Sequence, residues 1–590
     1  MENMINPFVE FMGNYDLTTA DYTKIYDEYT SKVQFEIESE TNKTILHIMK
    51  NNPTSIIITG NAGDGKTRIC RNVYTALTGE DLIQWDESGI EELSIDGKRI
   101  RIIKDLSELQ DSVINDELID LKNAMQGKEV FYLIAANEGK LTHALLQNEN
   151  LLELFNIVVS QLTDPAGKKH EKLHVYNLLH SSSSIYAKEM LKEWNKDSNW
   201  SVCNNCKQQN NCIIYHNHQK LQQTEVRLLL NRIYRSLDTT QVHMTIRELL
   251  IQLAYLHLGG LSCTDIHNAK NKDLQNQARK VYYENLFGHS APDTLFEDIP
   301  AFSEIQKYDP GLLSNSKVDD FILNGDLSGD DSSKQHKELF EKSIDTEYGF
   351  FKQDLLNYRS ISNQENAGQH LAKYWLPRLR RKYYFEINTT KDGKKQKGIA
   401  IANEHSMIAY KHRVTFLNIL SGKDKKVELR YQKDLIRGLN YYFSKQLVSS
   451  PESSLYVVSD KLFVHRIISN SDMRWGVEKG NKEIDYKASY IYLNVDNITL
   501  KINLVLFEYL MRLANGGLPH ILNDDVEILL SNFKNNLIIS KHNESEMLQI
   551  LKFNAKKDAY ELREIEVSRK NTNDYEEDDG EDEWDEDDFD

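Results

Sequence analysis

The residues whose types and spacing carry the clearest chemistry are Gly60, Asn61, Ala62, Gly63, Asp64, Gly65, Lys66 and Thr67, followed by Arg68. Gly-x4-Gly-Lys-Thr is the spacing of a loop that curls around phosphate. Backbone N–H groups must point inward around an anion, and Gly60, Gly63 and Gly65 allow the curl because they carry no Cβ. Lys66 would reach the β- and γ-phosphates, and the Thr67 hydroxyl would ligate Mg²⁺. The metal needs a carboxylate at the tip of a neighbouring apolar strand, and Asp105, after Arg99-Ile100-Arg101-Ile102-Ile103-Lys104, is the candidate. Glu108 is the nearest downstream carboxylate that could orient an attacking water. Asp105-Leu106-Ser107-Glu108 also reads as a capping box, which gives Asp105 a competing structural role. Asn137 ends the next apolar strand, where an amide can bond the γ-phosphate or the water, or simply make a turn.

A second group is Cys203-x2-Cys206-x5-Cys212-x3-His216, three soft ligands and an imidazole in one short stretch. It suits a tetrahedral, structural Zn²⁺, with His218 as an alternative fourth ligand. The bland alternative is three plain cysteines in a loop. With five cysteines in 590 residues no disulfide framework is expected.

These residues need elements to hold them. Ser55-Ile56-Ile57-Ile58-Thr59 predicts a strand entering the glycine loop, and Thr67 to Leu77 a helix leaving it. Strands are also predicted at Ile100 to Ile103, Val130 to Ala136 and Leu173 to Asn177, with helices at about 107–125 and 141–154. Strands alternating with helices predict an α/β domain with a mostly parallel sheet. From Ala187 the pattern turns helical. Thr224 to Leu237 and Thr245 to Leu258 are amphipathic, residues 291–345 read as loop-rich, and Tyr348 to Arg381 as helical. Alternation at Tyr383 to Ile387, Ser454 to Val458 and Ile491 to Val495 predicts a C-terminal α+β region, and Leu504 to Ala514 a helix ended by Gly516. The expected organisation is an N-terminal helical segment (1–50), an α/β core (51–198), a Cys-rich insertion (199–220), a helical lid (221–290), a helical and linker region (291–382), an α+β domain (383–570) and a disordered acidic tail (571–590).

The net charge of −19 is concentrated at one end. Asp574 to Asp590 holds 13 acids and no base, which leaves −6 for everything before it. Trp584 and Phe589 among those acids suggest docking on a basic surface, as a DNA mimic, or a plain solubilising tail. Lys373 to Lys397 holds nine bases against two acids, interleaved with aromatics. DNA contact is one reading of it, and a helix facing acidic groups of this protein or a partner is the other. There is no basic leader, and the apolar run Leu249 to Leu261 is too short to span a bilayer, so a soluble, cytoplasmic protein without membrane contact is expected.

In this order, Gly60 to Thr67, Asp105 and Asn137 resemble the Walker A, Walker B and sensor-1 elements of AAA+-type and STAND-type ATPases. That resemblance implies ATP with Mg²⁺, and a helical lid with a sensor-2 arginine, for which Arg247 in Thr245-Ile246-Arg247-Glu248-Leu249 is the match. Arg227, Arg232 and Arg235 could serve as an arginine finger. Leu106 stands where the family usually has Glu after the Walker B Asp, which bears on turnover but not on binding. The glycine loop, Lys104 to Glu108, Cys203 to Asn217 and Thr245 to Leu249 are most similar to the DptF family, the ATPase component of phosphorothioation-dependent DNA restriction. That implies a bacterial anti-phage role with helicase- or nuclease-like protein partners. A nucleotide-gated scaffold with little turnover is the alternative.

Overall fold

Three consecutive isoleucines between Ser55 and Thr59 suit a pleated, doubly covered surface, and they form strand β1 (Ser55–Thr59), buried along its whole length. The structure is a computed structural model that describes residues 4–566 except 16–36, 38, 83, 96, 128, 164–166, 168, 241, 292–295, 297–298, 330, 348–350, 361–370, 388–406, 423–425, 450–452, 460–461, 519–523 and 541–546. The acidic tail and the end of the basic segment, including Lys391 to Lys397, lie outside the described residues.

β1 pairs in parallel with β4 (Val130–Ala136) on one side and β5 (Leu173–Asn177) on the other. β3 (Lys98–Ile103) is parallel to β4, and β2 (Ile90–Ile95) closes the edge as an antiparallel hairpin partner of β3. The five-stranded order is β2-β3-β4-β1-β5. β2 has no counterpart among the predicted strands, because its residues Ile90 to Ile95 alternate only weakly between apolar and polar.

Alternate residues of β1 enter two separate cores, as the period of a strand requires. Ile57 packs with Ile103, Ile134, Leu118 and Leu141 beneath helices α4 (Asp111–Ala124), α5 (Glu138–Leu146) and α6 (Leu152–Thr163). Ile56 and Ile58 pack with Ile45, Met49, Cys70 and Val73 of α2 (Glu40–Asn51) and α3 (Lys66–Thr78). The expected α/β domain with a mostly parallel sheet is therefore present, covered on both faces.

The chain divides into two compact units, one made of Met1–Lys426, Gly476–Tyr492 and Lys501–Glu508, the other of Val427–Trp475, Leu493–Leu500 and Tyr509–Asp590. In the first unit a late segment returns to the α/β core. Asp485 is buried and accepts from Ser39 Oγ (2.9 Å), Thr41 N (3.1 Å), Thr41 Oγ1 (3.1 Å) and Glu40 N (3.2 Å), which caps the start of α2.

The same unit corrects two expectations. Residues 291–345 are not mainly loop, for they contain helices Pro300–Gln306, Ser316–Asn324 and Asp331–Phe340. Tyr383 to Ile387 is not a strand either. It ends the helix Leu376–Glu386, whose aromatics and bases are buried together. There the basic run meets acids of its own chain: Arg380 bonds Asp319 (2.6 Å), Arg381 bonds Asp309 (2.8 Å) and Glu284 (2.9 Å), and Lys382 bonds Asp345 (2.8 Å) and Glu386 (3.1 Å). Three of the bases proposed for DNA contact are thus spent internally, which is the second of the two readings.

By length and composition Ile246–Asn268 is apolar enough to cross a membrane. It is two helices, Ile246–Leu258 and Cys263–Asn268, broken where Gly259 and Gly260 take φ of +58° and +78°, and Leu249 to Leu258 are buried in this unit. The second unit has two antiparallel hairpins, Leu455–Val458 with Val464–Ile468 and Met547–Asn554 with Ala559–Glu566, together with helices Leu429–Ser444 and Asp524–Ser540. Tyr456, Val458, Val464 and Leu551 form a core in it. The helix predicted at Leu504–Ala514 forms, and Gly516 follows it at φ +81°.

Candidate functional site

Because β1, β3 and β4 run parallel, their C-terminal ends share one edge of the sheet, where sites in such sheets are built. β1 opens into Gly60 to Gly65, β3 into Lys104 to Glu108, and β4 into Asn137. β4 lies between β1 and β3, so Asn137 ends the strand between the loop and Asp105.

Within the loop Gly63 and Gly65 adopt φ of +96° and +84°, left-handed values that disfavour a side chain. Gly63 has a second reason to be glycine, since a Cβ there would lie 2.8 Å from Arg247 Cβ. Lys66 Nζ turns back into the loop and donates to the carbonyls of Gly60 (2.9 Å) and Asn61 (2.8 Å). Burial lowers the Lys66 pKa, against the carboxylates of Asp64 and Asp105, which raise it, and with Arg247, which lowers it. Lys66 is therefore within electrostatic reach of Asp64, Asp105 and Arg247. Asn61, Ala62 and Arg68 are exposed, and Thr67 is half-buried in the first turn of α3.

Asp64 has a role that its position in the motif does not disclose. Its Oδ2 accepts the Asn61 N–H at 2.6 Å and its Oδ1 pairs with His243 Nε2 at 2.7 Å. A carboxylate oxygen of the chain is thus held by a loop amide, as a phosphate oxygen would be. His243 begins the segment that packs onto the loop. Thr245 caps the helix Ile246–Leu258 through a capping box with Glu248, which fixes Arg247 so that its N–H donates to Gly63 O at 3.1 Å. Arg235, by contrast, is paired with Asp238.

Asp105 is half-buried and caps a short turn, its Oδ1 accepting from Ser107 N at 2.8 Å. Both roles weighed for it are compatible with that placement. The Glu108 carboxylate pairs with Lys104 Nζ at 3.0 Å, so the capping box is not completed. Asn137 caps α5, its Oδ1 accepting from Gly139 N at 3.0 Å, while its own N–H donates to Ser107 Oγ at 3.4 Å and ties the ends of β3 and β4 together.

Among the described residues no three His, Cys, Asp or Glu side chains already surround a common point as a metal would require. His216 and His218 do not join the cysteines. They lie on the helix Ile213–Leu221, which carries them inward. His216 Nε2 faces Asp345 Oδ1 at 3.6 Å within the buried ion cluster, and His218 stacks on Trp200 at 4.1 Å and meets Asn195 Oδ1 at 3.0 Å. Burial lowers their pKa values to about 4 and about 3. Asn6 donates through Nδ2 to Cys203 Sγ at 3.3 Å. Burial raises the Cys263 thiol pKa, against the backbone amide of Asn6, which lowers it.

The fold and site define an α/β domain whose glycine loop and lysine lie at the carboxyl edge of a mostly parallel sheet. No protein-family model matches the chain, and neither does any curated protein or any solved structure.

Proposed function

We propose that this chain is a P-loop NTPase that binds ATP with Mg²⁺ at Gly60 to Thr67. The observation that carries the reading is Lys66, a buried ammonium whose Nζ donates to two carbonyls of a left-handed glycine loop. The chemistry of the site fits a triphosphate: one loop amide, of Asn61, already holds an anionic oxygen, from Asp64, and Arg247 and the start of α3 border the loop. Thr67 and Asp105 are the residues that would hold Mg²⁺, which neutralises phosphate charge when bound. On binding, Lys66 exchanges the Gly60 and Asn61 carbonyls for phosphate oxygens, and the Asp64 carboxylate yields the Asn61 amide. Arg247 reports occupancy to the helix Ile246–Leu258, whose N-terminal turn is bonded to Gly63.

Following the sequence resemblance, the chain would be a cytoplasmic ATPase of a bacterial restriction or anti-phage complex, passing nucleotide state to DNA or to a helicase- or nuclease-like partner. A slow-turnover scaffold is the second reading. It is favoured by the Lys104 partner of Glu108 and by the buried Leu106 after Asp105, which leave no carboxylate assigned to the attacking water. Lys66→Ala should abolish ATP binding, measured by calorimetry with Mg²⁺, while far-UV dichroism stays unchanged. A mutant that binds as tightly as the native chain would remove the proposal. Phosphate release with and without DNA separates the two readings, since a scaffold stays slow in both.

A further inference from the structure

Asp64 is the only acid between Gly60 and Thr67, and it is buried, with 4% of its surface exposed. Both of its carboxylate oxygens are engaged. Oδ2 accepts the Asn61 N–H at 2.6 Å, and the Asp64 N–H donates back to Asn61 O at 3.3 Å, which closes one turn of the loop. Oδ1 accepts from His243 Nε2 at 2.7 Å. An ionised carboxylate only accepts, so the ring carries a proton on Nε2. The segment bearing His243 is held in place independently of that bond. Ser183 Oγ donates to Met244 O at 3.1 Å, Thr245 and Glu248 cap the helix Ile246–Leu258, and Arg247 N–H donates to Gly63 O at 3.1 Å. All of these residues belong to the first unit.

A phosphate oxygen that takes the Asn61 N–H meets the Asp64 carboxylate at hydrogen-bonding range, where two like charges away from bulk water repel strongly. Asp64 must then leave the amide. A buried carboxylate that gives up one donor is costly unless another holds it, and His243 is the donor already in contact. We propose that His243 is a positioning residue for nucleotide binding, which keeps hold of the Asp64 carboxylate while phosphate takes the Asn61 amide. Asp64 is then a built-in competitor that shapes the loop before the nucleotide arrives, and the bond to His243 sets how readily it gives way. This rests on the reading of Gly60 to Thr67 as a nucleotide site. The sign of the effect separates the role from simple anchoring. If Asp64 and His243 only tied the helix Ile246–Leu258 to the loop, removing either would loosen the site and weaken binding. A competitor and the residue that draws it away act in opposite directions.

A double-mutant cycle on the full-length chain, with the affinity for ATP and Mg²⁺ read by calorimetry, tests this. His243→Ala should weaken ATP binding about tenfold or more, the loss of one hydrogen bond to a charged group. Asp64→Asn, which keeps the shape and removes the charge, should tighten binding, and Asp64→Ala should act with the same sign if the first variant does not fold. Without the Asp64 charge, His243→Ala should change affinity by less than about twofold. His243→Gln keeps an N–H donor and should recover part of the loss. Unchanged or weakened binding on removal of the Asp64 charge would overturn the proposal and leave the nucleotide site standing. So would an equal loss from His243→Ala with and without that charge. A native chain that binds no nucleotide would overturn the site and the proposal together.

Discussion

Replacing Gly63 by alanine isolates the contact on which the proposed coupling between loop and helix depends. At φ +96° an added Cβ costs about 1–2 kcal/mol in backbone strain alone. In addition it would stand 2.8 Å from Arg247 Cβ and 3.4 Å from Thr245 Oγ1. Neither neighbour is the loose end of a side chain, because Thr245 and Glu248 lock the helix start and Arg247 N–H is bonded to Gly63 O. Relieving the overlap by moving that helix end should add about 1–3 kcal/mol. The sum, about 2–5 kcal/mol, would appear as a lowered denaturant midpoint of the first unit and as weakened ATP binding, tenfold for each ~1.4 kcal/mol that falls on the bound state. Gly79→Ala is the control, since Gly79 has φ +76° with nothing within 4 Å of the added Cβ. It carries the strain without the overlap and should leave ATP affinity unchanged. Equal destabilisation in the two variants, with nucleotide binding untouched in both, would refute the argument that the loop and the helix bearing Arg247 are packed as one piece.

Asp485→Ala removes the acceptor for Ser39, Glu40, Thr41 and Tyr186, and should destabilise the first unit by about 2–4 kcal/mol in urea unfolding. An unchanged midpoint would show that α2 needs no such cap. Lys382→Met takes from the buried Asp345 carboxylate its closest cation, while Glu386 keeps Lys220, and should cost about 3–5 kcal/mol; adding Asp345→Asn should recover part of the loss, read from the same unfolding curves. Burial holds His216, His218 and His257 at pKa values of about 4, about 3 and about 4, against 6.5 for a free imidazole. The unfolded chain therefore binds more protons as pH falls below 6.5, and stability should drop by about 2 kcal/mol per histidine between about pH 7 and about pH 5. Equal denaturation midpoints at the two ends of that window would count against buried neutral rings.

How much could be read in advance follows from the range of the forces. The strand at Ser55–Thr59, the glycine turn and the helix from Lys66 are consecutive, and each is specified by residues within a few positions of itself. The same holds for Leu504–Ala514 and the glycine that follows it. The start of the helix that carries Arg247 is local in the same way, since Thr245 and Glu248 form its capping box. Tyr383 to Ile387 misled because alternating aromatics and charges favour a strand only when one face meets solvent. Here Lys382 and Glu386 are buried against Asp345, so both faces are internal and the helix prevails. The expected pairing of Cys212 with His216 differs likewise: the two are a helical turn apart in sequence, yet the His216 ring faces Asp345.

The amino-acid order alone dictated what the chain can do locally: where glycines let it curl, where it extends, and which lysine follows the curl. Only the folded molecule decided which distant groups meet there. Asp64 finds His243, Asp485 finds the start of α2, and Asn6 finds Cys203, each across a long separation in the chain. Backbone conformation is set by sterics between neighbours, whereas a buried polar group accepts whichever partner the packing of two cores leaves within hydrogen-bonding distance.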